Sequence, residues 1–221
     1  MAENKETEIS ASRLIRYFAG LFIMTAGIAI SVKSDLGVSP VSSIPYTLTR
    51  CWGIEMGKAT ILFHCVLVLL QILILRKNFK LKSLLQIPVG IVFGYFTSFC
   101  NYLMTFVPSP NNIVVCICMI LISIVLVAIG IFLYLPADII PLAGEGVMQA
   151  VSDVTKIAFP KVKVSFDITM VVISLVTCLI VIHSIGSVGL GTIMAAVLVG
   201  VVLGQIMKLW SMHKERHLGD V

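Results

Sequence analysis

Residues 35–49, DLGVSPVSSIPYTLT, and residues 138–152, DIIPLAGEGVMQAVS, are polar stretches broken by glycine and proline in an otherwise almost continuously apolar chain. In each case a glycine lies eight residues before the aspartate, inside an apolar run: Gly27 before Asp35, Gly130 before Asp138. Both pairs are separated by 103 residues, and the shared offset predicts one unit used twice. Hydrocarbon offers no water to backbone groups, so irregular backbone at membrane depth survives only where protein buries it or a wet cavity lines it. Two such segments at matching places in two halves are a sequence-level pointer to the binding site of a transporter.

Composition supports a membrane setting. Of 221 residues, 58% are hydrophobic and 12% charged, and the mean hydropathy is +1.06. Soluble domains carry roughly 25% charged residues, which excludes a water-soluble fold. Six runs reach or approach the roughly 20 residues that cross a bilayer: 17–32, 59–75, 84–107, 113–135, 164–183 and 188–210. The first is expected to be retained, since the run after Arg13 and Arg16 has no small-residue cleavage site. With the N-terminus inside, six crossings leave 13 of the 16 Lys and Arg residues on the cytoplasmic side. These are Lys5, Arg13, Arg16, Arg76, Lys77, Lys80, Lys82, Lys156, Lys161, Lys163, Lys208, Lys214 and Arg216; only Lys33, Arg50 and Lys58 fall outside. The excess of inside cations predicts both termini in the cytoplasm.

The expected fold is all-α: a polytopic membrane protein of six transmembrane helices plus two short broken or re-entrant helices. Residues 13–107 run helix, broken segment, helix, helix, and residues 113–210 repeat that order between polar tails at 1–12 and 211–221. Three crossings per half is an odd number, so the second copy is inverted relative to the first. Tyr46-Thr-Leu-Thr49 lies opposite Gln149-Ala-Val-Ser152, and Gly94 opposite Gly200. Glycines 90, 94, 189, 191, 200 and 204 are expected to permit close helix packing.

Ser39-Pro40 reads as a helix start, with serine at the cap and proline at the first helical position. Pro141 takes that role in the second copy. Two such N-termini converging near mid-membrane make an anion or carboxylate site, whereas Asp35, Asp138 and Glu145 favour a cation, a proton or an amine. The candidate substrate-binding residues are Asp35, Ser39, Ser42, Ser43 and Thr47 in the first segment, and Asp138, Glu145, Gln149 and Ser152 in the second. The alternative for the aspartates is a solvated place in the headgroup zone, capping turns. His64 reads as a proton relay or, more simply, an interhelical hydrogen bond. Asp167 reads as an interfacial ion pair with Lys161 or Lys163, and Gln86, Thr97 and Asn101 as path-lining or interhelical groups. The six cysteines have no zinc or disulfide-framework spacing and read as small buried hydrophobes. No metalloprotease, serine-hydrolase, P-loop or dinucleotide signature is present, and no basic aromatic surface suits nucleic acid. Neither an enzyme, a metal centre nor a cofactor is expected.

Three pieces carry a resemblance: residues 34–40, SDLGVSP; residues 86–95, QIPVGIVFGY; and residues 191–196, GTIMAA, with Gly200. The chain resembles the YczE/YitT type of bacterial membrane proteins, over nearly its whole length. Members commonly have an aromatic residue and an acid after the proline; Val41 and Ser42 stand here instead, which separates this chain from any ligand shared through them. No counterpart of the soluble C-terminal domain of YitT-type members is expected after Trp210. The resemblance implies a predicted permease and carries no substrate. The expectation is therefore a secondary carrier or permease of the cell membrane for a small polar or charged metabolite. The rival is an accessory membrane protein, either a substrate-capture subunit or an assembly factor. Expected partners are the lipid bilayer, the small-molecule substrate, and a second copy or a partner membrane complex.

Overall fold

The computed structural model describes residues 10–219, with side chains to Met212. Lys5, most of the first tail, and the side chains of Lys214 and Arg216 lie outside the described residues. Eight α-helices follow in order: α1 (Ala11–Ser34), α2 (Pro40–Trp52), α3 (Met56–Leu75), α4 (Gln86–Thr105), α5 (Ile113–Tyr134), α6 (Ala143–Thr155), α7 (Phe159–Ile182) and α8 (Leu190–Gly219). No strand occurs among the described residues. Six helices, all but α2 and α6, are long and apolar enough to cross a membrane. The chain is an all-α polytopic membrane protein.

α2 and α6 have 13 residues each, a length of about 20 Å, too short to span. Their bounds keep the register of the sequence: Pro40 and Ala143 begin them, Met56 and Phe159 begin the helices after them, and each pair is 103 residues apart. The backbone breaks at the same interval. Asp35 and Asp138 are both left-handed, as are Gly53 and Lys156. Ser39 caps α2 and Pro40 opens it as the sequence predicts, although the Ser39 hydroxyl donates to Ser42 Oγ (3.0 Å) and not to a backbone amide. Pro141 does not open the second short helix. Leu142 stays extended, its N–H given to Tyr134 Oη (3.2 Å), and the helix starts at Ala143.

α1 lies against α5 through glycine. A Cβ on Gly20 would stand 2.7 Å from the Gly130 carbonyl oxygen, and one on Gly27 would stand 2.9 Å from the Ser123 carbonyl oxygen. Those two contacts exchange when each residue is shifted by 103, so the seam is self-complementary in the manner of a two-fold interface. The outer packing follows the same rule: α1 meets α4 and α5 meets α8, while α2 sits on α7 and α6 on α3. Around the seam Tyr17, Leu21, Met24 and Ile28 bury themselves with Val127 and Tyr134.

One pair breaks the pattern. α3 and α4 close through Gly57 and Gly94, whose backbones touch, but α7 and α8 do not pack along each other. The expected close approach holds at Gly90, against His64, and at Gly189 and Gly191, against Leu36 and Gly37. It fails at Gly200 and Gly204, where an added Cβ meets nothing within 4 Å. α8 packs on α5 and not along α7. Accordingly, Gly27→Leu or Gly130→Leu should lose about 1–3 kcal/mol by overpacking the seam, seen as a lower melting temperature in detergent. Gly200→Leu should melt with the parent protein.

Candidate functional site

The first broken segment is tied down group by group. α1 ends when Asp35 turns left-handed (φ 54°) and gives its N–H to the Val32 carbonyl. The chain then runs without helix from Leu36 to Ser39, with the Ser31 hydroxyl donating to the Gly37 carbonyl (2.8 Å) and the Gly191 N–H donating to the Leu36 carbonyl (2.8 Å). Gly37 needs to be glycine twice over: its φ is 100°, and a Cβ would sit 2.5 Å from Thr192 Oγ1. α2 then rises along α7. Ser43 and Thr47 are buried there; Ser174 donates to Ser43 Oγ (2.8 Å), and the Thr47 and Ser187 hydroxyls share a hydrogen at 2.5 Å.

The second segment is held by different groups at the other end of the bundle. Arg13 donates twice to the Ala137 carbonyl (2.8 and 3.2 Å), Tyr17 donates to the Ile140 carbonyl (2.7 Å), and Tyr134 accepts the Leu142 N–H while donating to Glu145. Glu145 lies off the six spanning helices, in the first turn of α6. Burial pushes its carboxyl above the usual carboxylate range, against the smaller opposing pulls of the Tyr134 hydroxyl and of Lys163. Behind α6, Gln71 donates to Gln86 Oε1 (2.7 Å) and to the Ala143 carbonyl (3.2 Å). Gly146 faces this amide pair with no room for a Cβ: the Gln71 oxygen would be 2.5 Å away.

The two short helices meet at their N-termini. A Cβ on Gly144 would rest 3.6 Å from Val41 Cγ1 and 4.0 Å from Leu67, and Leu67 lies midway along α3. Val41 and Gly144 are themselves 103 residues apart. Val41, Leu67, Ala143, Val147 and Met170 share one apolar cluster at the meeting point. At the Asp35 end of the bundle a cleft of about 410 Å³ opens, lined by Lys33, Asp35, Tyr46, Arg50, Asn101 and Thr105 among others. Arg50 bonds Asp35 there at 3.0 Å, with Tyr46 donating to the same oxygen at 3.3 Å.

The nine sequence-designated residues therefore fall into separate places. Asp35 is exposed at the cleft. Ser39 caps α2, and Ser42, Ser43 and Thr47 lie on it, all three buried. Glu145 is held by Tyr134. Asp138 is exposed, Gln149 donates to Asp153 (2.8 Å), and the Ser152 hydroxyl donates to the Ile157 carbonyl (2.7 Å), which makes it a turn-holding group. Sequence reasoning missed the clamp of Tyr17, Tyr134, Gln71, Ser174 and Ser187, and counted Arg13 only as a topogenic charge. The available signal was that each is a polar side chain set within or beside an apolar run. His64 bonds to no described group through Nδ1; it stacks on Phe93 (ring centroids 5.6 Å) in the α3–α4 seam. Asp167 pairs with Lys163 at 2.8 Å as expected. Its Oδ1 is buried without a partner among the described residues, 103 positions after His64.

A family described only as a family of unknown function, DUF6198, matches residues 11–208, and the chain belongs to it. The chain is 24% identical over 188 residues to a Bacillus subtilis (strain 168) protein named "Uncharacterized membrane protein YczE", covering 85% of this chain and 81% of that one. No solved structure matches.

Removing the clamp hydroxyl should be costly. Tyr134→Phe leaves the buried Leu142 N–H and the half-buried Glu145 carboxyl without their partner, a loss of about 1–3 kcal/mol. Asp35→Asn breaks only an exposed ion pair, worth about 0–1 kcal/mol. Thermal unfolding of the two variants in one detergent checks the order.

Proposed function

We propose that this DUF6198 member is a secondary carrier that moves a small polar or charged metabolite across the cell membrane. In this reading the halves 13–107 and 113–210 are inverted repeats and both termini face the cytoplasm. The observation that carries it is the meeting of α2 and α6 through Val41 and Gly144, midway along α3 and beside α7. Discontinuous helices pointing their N-termini at one another near mid-membrane are the usual way a transporter frames a substrate. Their free N–H groups and partial positive charge favour an anionic group on the solute.

The surrounding geometry supplies the other parts of a carrier. With the N-terminus inside, the cleft lined by Lys33, Asp35 and Arg50 is the outer vestibule. Glu145 then lies on the cytoplasmic side of the meeting point, in a buried setting that favours its protonated form. A carboxyl whose proton affinity is raised by burial and that sits beside the path is suited to proton coupling. The unequal packing of α3–α4 and α7–α8 fits the same reading. Two repeats in different arrangements can exchange them, and that exchange moves access from one side to the other.

Reconstitution into liposomes tests this. Glu145→Gln should keep the fold but lose the dependence of uptake on an imposed proton gradient. Gly144→Val places a side chain where a Cβ has ordinary van der Waals room, so it should melt normally and lose most uptake. Parental transport by both variants would end the proposal. So would stoichiometric co-purification with an ATPase or enzyme in mild detergent together with no transport alone, which selects the accessory-subunit reading.

A further inference from the structure

The folded chain places two thiols together that sequence spacing keeps apart. Cys51, near the C-terminal end of α2, lies with its Sγ 4.0 Å from Sγ of Cys178, near the C-terminal end of α7, 127 residues later. Cys178 is fully buried and held from three sides: its Sγ lies 3.8 Å from Thr47 Oγ1 and 3.6 Å from Ser187 Oγ, and Gly186 approaches so closely that a Cβ there would stand 2.6 Å from the sulfur. Cys51 is partly exposed. One thiol is thus fixed and the other reachable. A disulfide needs its sulfurs at about 2.05 Å with an S–S torsion near 90°, and the remaining gap of about 2 Å is within the reach of one side-chain torsion.

We propose that Cys51 and Cys178 are a redox-active pair whose disulfide staples the top of the re-entrant helix α2 to α7. The partner chemistry is a disulfide-carrying oxidant, either a small-molecule disulfide or a thiol–disulfide oxidoreductase. The thiolate of the reachable Cys51 attacks one sulfur of that disulfide, forming a mixed disulfide and releasing the first donor thiolate. Cys178 then loses its proton and attacks Sγ of Cys51, releasing the second donor thiolate. The two protons lost by the cysteines end on the two donor thiols, so the oxidant gains two electrons and the protein loses two. The other cysteines lack this arrangement: Cys65, Cys100, Cys116 and Cys118 lie on α3, α4 and α5 with no sulfur–sulfur contact among the described residues. Placing the pair on the oxidising, outer side of the membrane rests on the orientation given under Proposed function; the bond itself does not.

The test uses the full-length protein in lipid nanodiscs, incubated with oxidised glutathione and then alkylated without reductant. The expected product lacks the mass of two hydrogen atoms, keeps four alkylated thiols, and yields a peptide linking residues 51 and 178. Cys51→Ser and Cys178→Ser should each abolish that peptide, and Cys65→Ser should leave it unchanged. Six alkylated thiols in protein that melts normally would overturn the proposal, as would glutathione held on Cys51 without transfer to Cys178. A separate arm treats intact cells expressing Cys178→Ser with a membrane-impermeant maleimide. Labelling of Cys51 supports the outer placement. No labelling until the membrane is opened overturns the orientation, while the linked peptide from nanodiscs still upholds the pair.

Discussion

Backbone that leaves helix inside an apolar bundle has no water to fall back on, and this constraint organises the whole molecule. Each break is therefore met by named groups. The Ser31 hydroxyl and the Gly191 amide take the carbonyls of Gly37 and Leu36; Arg13, Tyr17 and Tyr134 serve Ala137, Ile140 and Leu142. An unmet buried group costs about as much as a protein of this kind can spare from a single position. The breaks persist because helices distant in sequence come to satisfy them.

The two solutions differ in chemistry while the backbone repeats. The first segment uses small groups and close approach: hydroxyls, a left-handed glycine, and the amide that opens α8. The second uses long side chains reaching from α1 and α5. Positions 103 residues apart thus differ in residue type but share one backbone geometry, as the reciprocal glycine contacts between α1 and α5 also illustrate. Backbone shape in a packed bundle is set by how near two helices can come. Many side-chain sets permit the same distance, so shape outlasts sequence.

Against that regularity the α7–α8 gap stands out. α7 and α8 each have 17% of their apolar window buried, against 39–50% for the other four spans. Their outward faces carry Val172, Ile173, Val176, Ile180, Ile193, Val197 and Val201, side chains suited to lipid contact. In hydrocarbon, such exposure costs nothing, because lipid tails are as apolar as leucine. Two helices can therefore stand apart here at no penalty that a soluble core would impose.

Much of this was legible in the residues alone. Low charge and long apolar runs determined a six-span helical bundle, and the Gly/Pro-broken stretches at 35–49 and 138–152 marked where helices could not continue. The 103-residue interval from Asp35 to Asp138 recurs in the left-handed turns and in the starts of α2 and α6, and Ser39-Pro40 announced the start of α2, because cap and proline preferences are local. What only the tertiary structure decided depends on contacts between residues far apart in the chain. These are the encounter of Val41 with Gly144, the capture of Glu145 by Tyr134, the approach of Cys51 to Cys178, and the idle glycines at 200 and 204. A glycine in an apolar run reads the same whether a neighbour uses it or not, and a serine reads the same whether it faces a path or another helix. Three-dimensional neighbours, which no local pattern encodes, settle such questions.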